Sequence, residues 1–317
     1  MLDILYSIIP QTLFFAAPLI FTALGGVYSE RSGVINIGLE GLMVIGAFSS
    51  VTFNLLYADA LGGATPWYSL LVAIIAGMLF SLIHAVATIT FRADQTVTGV
   101  AINMLALGFG VFMIKQIFGK GQTDFISQPI YTTDVPFLVD IPVIGNMFFN
   151  NMYITSYIAI VLSFVAWYVL YKTPFGLRIR AVGEHPMAAD TNGIKVYTTR
   201  YIGVIISGAL AGLGGAVFAM TISLNFSVST IAGQGFMAIA AVIFGKWNPL
   251  GAMGAALFFG FAQSLSVVGS SIPLLENVPQ VYLLIAPYVL TILALAGFIG
   301  RSVAPKASGV PYVKGSR

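Results

Sequence analysis

TPFGLRIRAVGEHPMAADTNGIKV, residues 173–196, breaks into a chain that is otherwise apolar. It carries Arg178, Arg180 and Lys195, Glu184 and Asp190, His185 and two prolines, between apolar runs at 152–171 and 200–222. Thr173-Pro174 reads as a helix start, with Pro174 at the first helical position, where its missing N–H has no partner to lose. Gly183 interrupts, His185-Pro186 starts a second short helix, and Gly193 stands where a C-cap glycine would. Such a segment at a membrane face has two readings. It is a helix shaped to fit a groove on a soluble partner, or a solvated loop whose basic residues sit near lipid headgroups.

The surroundings decide the class. Of 317 residues, 58% are hydrophobic and 8% charged, against about 25% charged in a soluble domain. With a mean hydropathy of +0.94, this describes a polytopic membrane protein. Apolar runs fall at 7–28, 33–56, 69–91, 96–118, 152–171, 200–222, 230–245, 250–268 and 280–299. At roughly 20 residues per crossing, they predict an all-α protein of about nine transmembrane helices, the seventh short enough to be tilted, broken or only partly spanning. The first run lacks the basic flank of a signal peptide and reads as a span. The absence of cysteine excludes disulfides and thiolate metal sites. The net charge of +3 comes without a dense basic patch, so nucleic acid is not an expected partner.

Cations set the orientation. With residues 173–196 in the cytoplasm, Arg31, Arg92, Lys172, Arg178, Arg180, Lys195, Arg200, Lys246, Arg301, Lys306, Lys314 and Arg317 share that side, and only Lys115 and Lys120 lie near the outer face. The positive-inside rule favours this arrangement. It requires an odd number of crossings, an N-terminus outside and a cytoplasmic C-terminus.

The chain also repeats itself. NIGLEGLMVIGA (36–47) aligns with TIAGQGFMAIAA (230–241), and ALGGV (23–27) with GLGGA (212–216). The first copy runs outward and the second inward, so the single transmembrane domain 1–317 reads as two inverted four-helix repeats. The first is 1–118. Residues 119–199 hold the outer loop, the fifth helix and the polar loop. The second repeat is 200–299, and 300–317 form a cytoplasmic tail. Inverted repeats place a transporter's substrate path at the repeat interface.

Glu40 is the one carboxylate inside a predicted span, and a charge there normally faces a cavity or a partner. Asn36 lies one turn earlier on the same face, and Thr230 and Gln234 are the counterparts of this pair in the second copy. Together with Asn103 of the fourth helix they are the candidate lining of a path for a hydroxylated solute. For Glu40 the alternative is a place at headgroup level or a bond to a neighbouring helix. For Asn103 it is polar glue between helices. His84 has no Asp or Glu at helical spacing and reads as packed, so no metal or catalytic site is expected. Gly208 and Gly212 form a small-xxx-small pair suited to close helix packing. No G-x-x-x-x-G-K-[ST] occurs, so any ATP hydrolysis must come from another polypeptide.

GLRIRAVGEHPMAADTNGI (176–194) resembles the cytoplasmic loop motif of the permease subunits of ABC importers for branched-chain amino acids, simple sugars and nucleosides. SGVINIGLEGLMVIGAF (32–48) resembles a second block of that family in its nucleoside branch, and AIAAVIFGKWNPLGAMGAALFFGFAQ (238–263) a third. GKWNPLGA (245–252) departs from the longer glycine-rich run of many sugar permeases. The resemblance implies a fold similar to the larger-bundle, type II-like ABC importers in a prokaryotic cell membrane, and nucleoside uptake, with a simple sugar or branched-chain amino acid as alternative solutes. It implies that the chain is no enzyme and binds no cofactor, ATP and Mg belonging to a partner ATPase subunit. Arg178, Arg180, Gly183, Glu184, Pro186, Ala188, Ala189 and Gly193 would then form the coupling loop, with Met187, Ala188 and Ala189 as the compact face offered to the ATPase. A second permease, in a heterodimer, and an extracytoplasmic solute-binding lipoprotein are the other implied partners, beside membrane lipid. The rival is an ion-coupled secondary transporter leaning on Glu40, which would not need the polar loop. A membrane-embedded enzyme would need paired carboxylates or a His-rich site, and the sequence offers neither.

Overall fold

The computed structural model describes residues 2–269 and 303–315, with isolated positions 278, 279, 281, 282, 285 and 289 between them. Apart from those positions, the predicted span at 280–299 lies outside the described residues, as do Glu276, Arg301 and Arg317. Within residues 2–269 eleven α-helices follow in order: α1 (Leu2–Arg31), α2 (Leu39–Leu61), α3 (Thr65–Ala85), α4 (Gln95–Phe118), α5 (Ile144–Phe148), α6 (Ile154–Lys172), α7 (Pro174–Glu184), α8 (Pro186–Thr191), α9 (Val196–Phe218), α10 (Gln234–Phe244) and α11 (Pro249–Val268). Among the described residues six stretches are long and apolar enough to cross a membrane: Leu5–Arg31, Leu39–Thr90, Gln95–Phe118, Ile154–Lys172, Val196–Ser223 and Pro249–Val268. The second is a hairpin, since the chain turns at Gly62–Ala64 and α3 packs back on α2.

Helix outer faces are as apolar as the core. Leu71, Leu79, Met104 and Val161 are all more than half exposed, as suits surfaces solvated by lipid tails, where close packing holds helices together. The core is α9, gripped by α1, α2 and α3. A Cβ on Gly208 would lie 2.4 Å from the Gly77 carbonyl oxygen, and one on Gly212 would lie 2.5 Å from that of Ala73. The small-residue pair therefore brings α3 and α9 backbone to backbone, as its spacing predicts.

Two predicted spans are not helical throughout. Residues 32–38 are irregular, so α2 begins at Leu39 rather than at 33, and residues 224–233 are irregular before α10. Gly33 (φ +89°) and Gly233 (φ +83°) hold the backbone off the helical path. The 11 residues of α10 rise about 16 Å, half of a hydrocarbon core of about 30 Å. The N–H of Ile126 donates to the Leu224 carbonyl at 2.8 Å, which places the start of this segment against the 119–151 loop. Trp247, just past α10, meets the end of α1. The seventh predicted span, 230–245, is thus irregular up to Gly233 and helical only over Gln234–Phe244.

The polar stretch forms two short helices. The Thr173 hydroxyl accepts the Gly176 N–H at 3.3 Å and Pro174 opens α7. Gly183 does not interrupt: α7 runs to Glu184, and the break falls at His185, which adopts φ −143° and ψ 80°. The residue before a proline is pushed out of the helical region, and Pro186 does this here. Gly193, at φ +80°, ends α8 as a C-cap glycine.

Gly208→Val should force α3 from α9 and cost at least about 1–3 kcal/mol, read as a lower melting temperature in detergent. Gly63→Ala, with nothing within 4 Å of the added Cβ, should leave the melt unchanged.

Candidate functional site

Irregular backbone at membrane depth needs a partner for each N–H and C=O. In the first break, the Gln95 side-chain oxygen accepts the Ile35 N–H at 2.7 Å, and Asn36 Oδ1 accepts the Gly38 N–H at 3.1 Å. Asn103 Oδ1 accepts the Gly41 N–H at 2.7 Å, while its amide donates to the Ile37 carbonyl at 3.0 Å. His84, buried, has Nε2 3.0 Å from the Ile35 carbonyl oxygen. The Asn36 amide donates to the Ser207 hydroxyl at 3.0 Å, tying the break to α9. In the second break, Thr230 Oγ1 accepts the Ser227 N–H at 2.8 Å.

Glu40 joins the two breaks. Its Oε1 accepts the Gly233 N–H and its Oε2 the Gly235 N–H, both at 2.6 Å. Glu40 sits in the first turn of α2, and those N–H groups open α10. Each helix N-terminus carries about half a positive charge, so one carboxylate between two of them is well matched. The approach is close enough that a Cβ on Gly235 would lie 2.4 Å from the Glu40 backbone nitrogen. From this junction α2 runs toward the 119–151 loop, where the Asn54 amide donates to the Gln128 carbonyl at 2.7 Å. α10 runs the other way. Asn103 lies eight residues into α4, so at 1.5 Å per residue the junction is about 12 Å from that end. The length of α10 gives a similar distance, and both are about half of a hydrocarbon core of about 30 Å.

The structure therefore gathers Asn36, Glu40 and Asn103 with the N-terminus of α10, and gives each a backbone to hold. Thr230 is an internal cap four residues away. Gln234 is different: it is half-buried, and its oxygen has one long contact, 3.4 Å from the Gln263 amide. Exposed Phe236 stands two residues on. Among the described residues no group of three or more His, Cys, Asp or Glu side chains comes together to hold a metal ion.

The second site is the α7 end of the bundle. Ala189 is buried among Val182, Val196 and Tyr312, so the outward face consists of Met187 and Ala188 without it. The reason is register: on α8 a buried contact was needed to seat so short a helix, and Ala189 supplies it. Arg180 also turns inward, donating from Nε to the Leu170 carbonyl at 2.9 Å and lying 4.8 Å over the Tyr171 ring. Arg178 stays exposed, and Pro186 and Glu184 are half-buried. A Cβ on Gly183 would lie 2.1 Å from the Arg31 carbonyl oxygen, so α7 rests on the end of α1.

Two features of this end were not singled out by sequence. Residues 303–315 do not trail off: the Ala307 N–H donates to the Gly183 carbonyl at 2.9 Å, and buried Arg200 donates to the Val310 carbonyl at 2.9 Å. Arg200 had counted only as one more basic residue. The other is a cluster around Trp247. Its indole N–H donates to Glu30, and Arg31 Nε donates to its carbonyl at 2.8 Å. The adjacent Glu30-Arg31 pair at a helix end was the available signal.

The family described as "Branched-chain amino acid transport system / permease component" matches residues 8–295. A guanosine ABC transporter permease protein of Bacillus subtilis (strain 168) is 67% identical over 315 residues, 99% of each chain. A nucleoside ABC transporter permease protein, NupC, of Lactococcus lactis subsp. cremoris (strain MG1363) is 53% identical over 310 residues, 98% of each chain. A second one from that strain, NupB, is 28% identical over 315 residues, 95% of this chain and 83% of the relative.

Glu40→Gln places an amide NH2 against backbone N–H groups and should destabilise the fold by about 1.5–3 kcal/mol. Gln234→Ala should leave the melt unchanged and lower solute uptake instead. Melting in detergent and uptake into vesicles, measured on both variants, separate the two roles.

Proposed function

The chain belongs to the family of permease components of branched-chain amino acid transport systems, and we propose that it is the membrane-spanning subunit of an ATP-driven ABC importer of nucleosides. The observation that carries this reading is the near-complete match to relatives named as guanosine and nucleoside permeases. The geometry supports it in two places. Glu40 already balances the positive ends of α2 and α10, so the junction offers no free helix N-terminus to an anionic group. An uncharged, hydroxylated solute suits such a path better than a carboxylate or a phosphate. Gln234, with Gln263, is the polar group left free to meet it, while Asn36, Glu40, Asn103 and Thr230 hold the path's backbone. Glu40 is not needed as a proton carrier, which removes the main motive for an ion-coupled secondary transporter.

The inverted repeat gains support from the pairing of α2 with α10: each follows an irregular segment, their starts touch, and they run in opposite directions. The nine-crossing topology and the partition into 1–118, 119–199, 200–299 and 300–317 follow from that reading, with the tail 303–315 folded onto α7. The chain performs no chemistry. ATP and Mg bind a separate ATPase subunit, which docks on α7 and α8 through Arg178, Met187 and Ala188. Ala189, Gly183 and Gly193 shape the loop, and Arg180 seats it. A solute-binding lipoprotein delivers nucleoside outside. A second permease completes the path; two nucleoside permeases in one Lactococcus strain, one close to this chain and one distant, favour a heterodimer.

The complex reconstituted in liposomes should show ATP hydrolysis stimulated by nucleoside and its binding protein, and no such stimulation by branched-chain amino acids. Ala188→Arg should fold normally but lose the ATPase on purification, whereas Ala189→Arg should first lower the melt. Retention of the ATPase by Ala188→Arg would make this stretch an ordinary loop. Reporter fusions at Gly315 and before Ser7 should report a cytoplasmic C-terminus and an outside N-terminus; the same side for both would break the crossing count.

A further inference from the structure

We propose that Glu30, Arg31, Tyr171 and Trp247 form a positioning cluster that ties the α10–α11 turn to the coupling helix, so that a displacement of α7 moves α10. This rests on the importer reading above and adds the residues that carry its motion. The contacts are continuous. Arg180 of α7 lies over the Tyr171 ring at 4.8 Å. Arg31 Nη2 donates to the Tyr171 hydroxyl at 3.2 Å and to the Lys246 carbonyl at 3.3 Å, and Arg31 Nε donates to the Trp247 carbonyl at 2.8 Å. The Trp247 indole N–H donates to Glu30. Glu30 and Trp247 are both buried.

The turn they hold is unusual. Lys246 and Trp247 both adopt φ +54°, a left-handed conformation that side-chain-bearing residues seldom take. Such a conformation is strained and persists only where surroundings enforce it. Here one guanidinium takes both carbonyls of the strained pair. Asn248 then fixes the next helix, its side-chain oxygen accepting the Leu250 N–H at 2.9 Å. One end of α10 is thus set by Arg31 and Glu30 and the other by Glu40. A helix of 11 residues held at both ends moves as a rod, and it connects the docking face to the junction. A purely structural latch would need Glu30 and Trp247 alone. The Arg31–Tyr171–Arg180 contacts extend it to α7.

Two conservative changes test the link. Tyr171→Phe removes the acceptor for Arg31 but keeps the ring under Arg180. Trp247→Phe removes the indole N–H but keeps the backbone carbonyl. Both variants, assembled with the ATPase, the second permease and the binding protein, should retain the ATPase and its basal turnover. Nucleoside-stimulated turnover should fall about fivefold or more, the range of coupling between sites. The double variant should be no worse than either single one, because Tyr171→Phe parts the cluster from α7, Trp247→Phe loosens the turn from the cluster, and the motion needs both contacts. In a Trp67→Phe, Trp167→Phe background, the emission of Trp247 should shift on adding ATP, and Tyr171→Phe should abolish that shift. Wild-type stimulation in both variants, additive losses, or an ATP-dependent shift that survives Tyr171→Phe would overturn the link while leaving the importer intact. A wild-type complex without nucleoside-stimulated hydrolysis would overturn the importer reading and the link together.

Discussion

A carboxylate shared by two helix starts sets the frame for the rest of this structure. Glu40 takes backbone N–H groups from Gly233 and Gly235 while standing in the first turn of α2. Without it, two positive helix ends would abut in a medium with little water to screen them. The irregular segments that lead into α2 and α10 are tolerable only because they are buried in protein. Gln95, Asn36, Asn103 and His84 meet the first, and Thr230 caps the second. Polar residues in these spans are therefore committed first to backbone.

That commitment explains what sequence could and could not reveal. The six long apolar helices among the described residues were legible because lipid asks for long apolar runs whatever the packing. Thr173, Pro174 and Gly193 were legible because caps are local chemistry. Gly208 and Gly212 were legible as a packing pair. The partner of Glu40 was not, since it lies 193 residues away in the chain. Nor was the inward turn of Ala189. In a soluble helix an apolar stripe would betray the buried face, but here Leu79 and Met104 are as apolar as any core residue and lie on the outside. The start of α2 was misplaced for the same reason. Hydropathy sees residues 33–38 as apolar, and only glycines at special φ and side chains that seek backbone distinguish them from helix.

The two ends of α10 make a division of labour. At its N-terminus the Glu40 carboxylate takes two backbone N–H groups, which fixes position but tolerates few intermediate states. At its C-terminus the contacts are side chains from α1 and α6 around a strained turn. A packed interface of that kind responds to a push by switching between arrangements more readily than by bending. α7 is well placed to deliver the push, because it rests on the last residue of α1 and is overlaid by residues 303–315.

Arg200, too, is buried. A guanidinium inside a protein needs strong partners or a compelling position, and among the described residues Arg200 has one hydrogen bond, to Val310. It lies in the first turns of α9, directly under the tail and beside Gly33, where a Cβ would come 3.0 Å from its Nη2. Its long stem fills the space between α9 and the first break, and its head holds the tail against α7. Arg200 thus meets both the tail, through Val310, and the irregular segment that leads to Glu40, through Gly33.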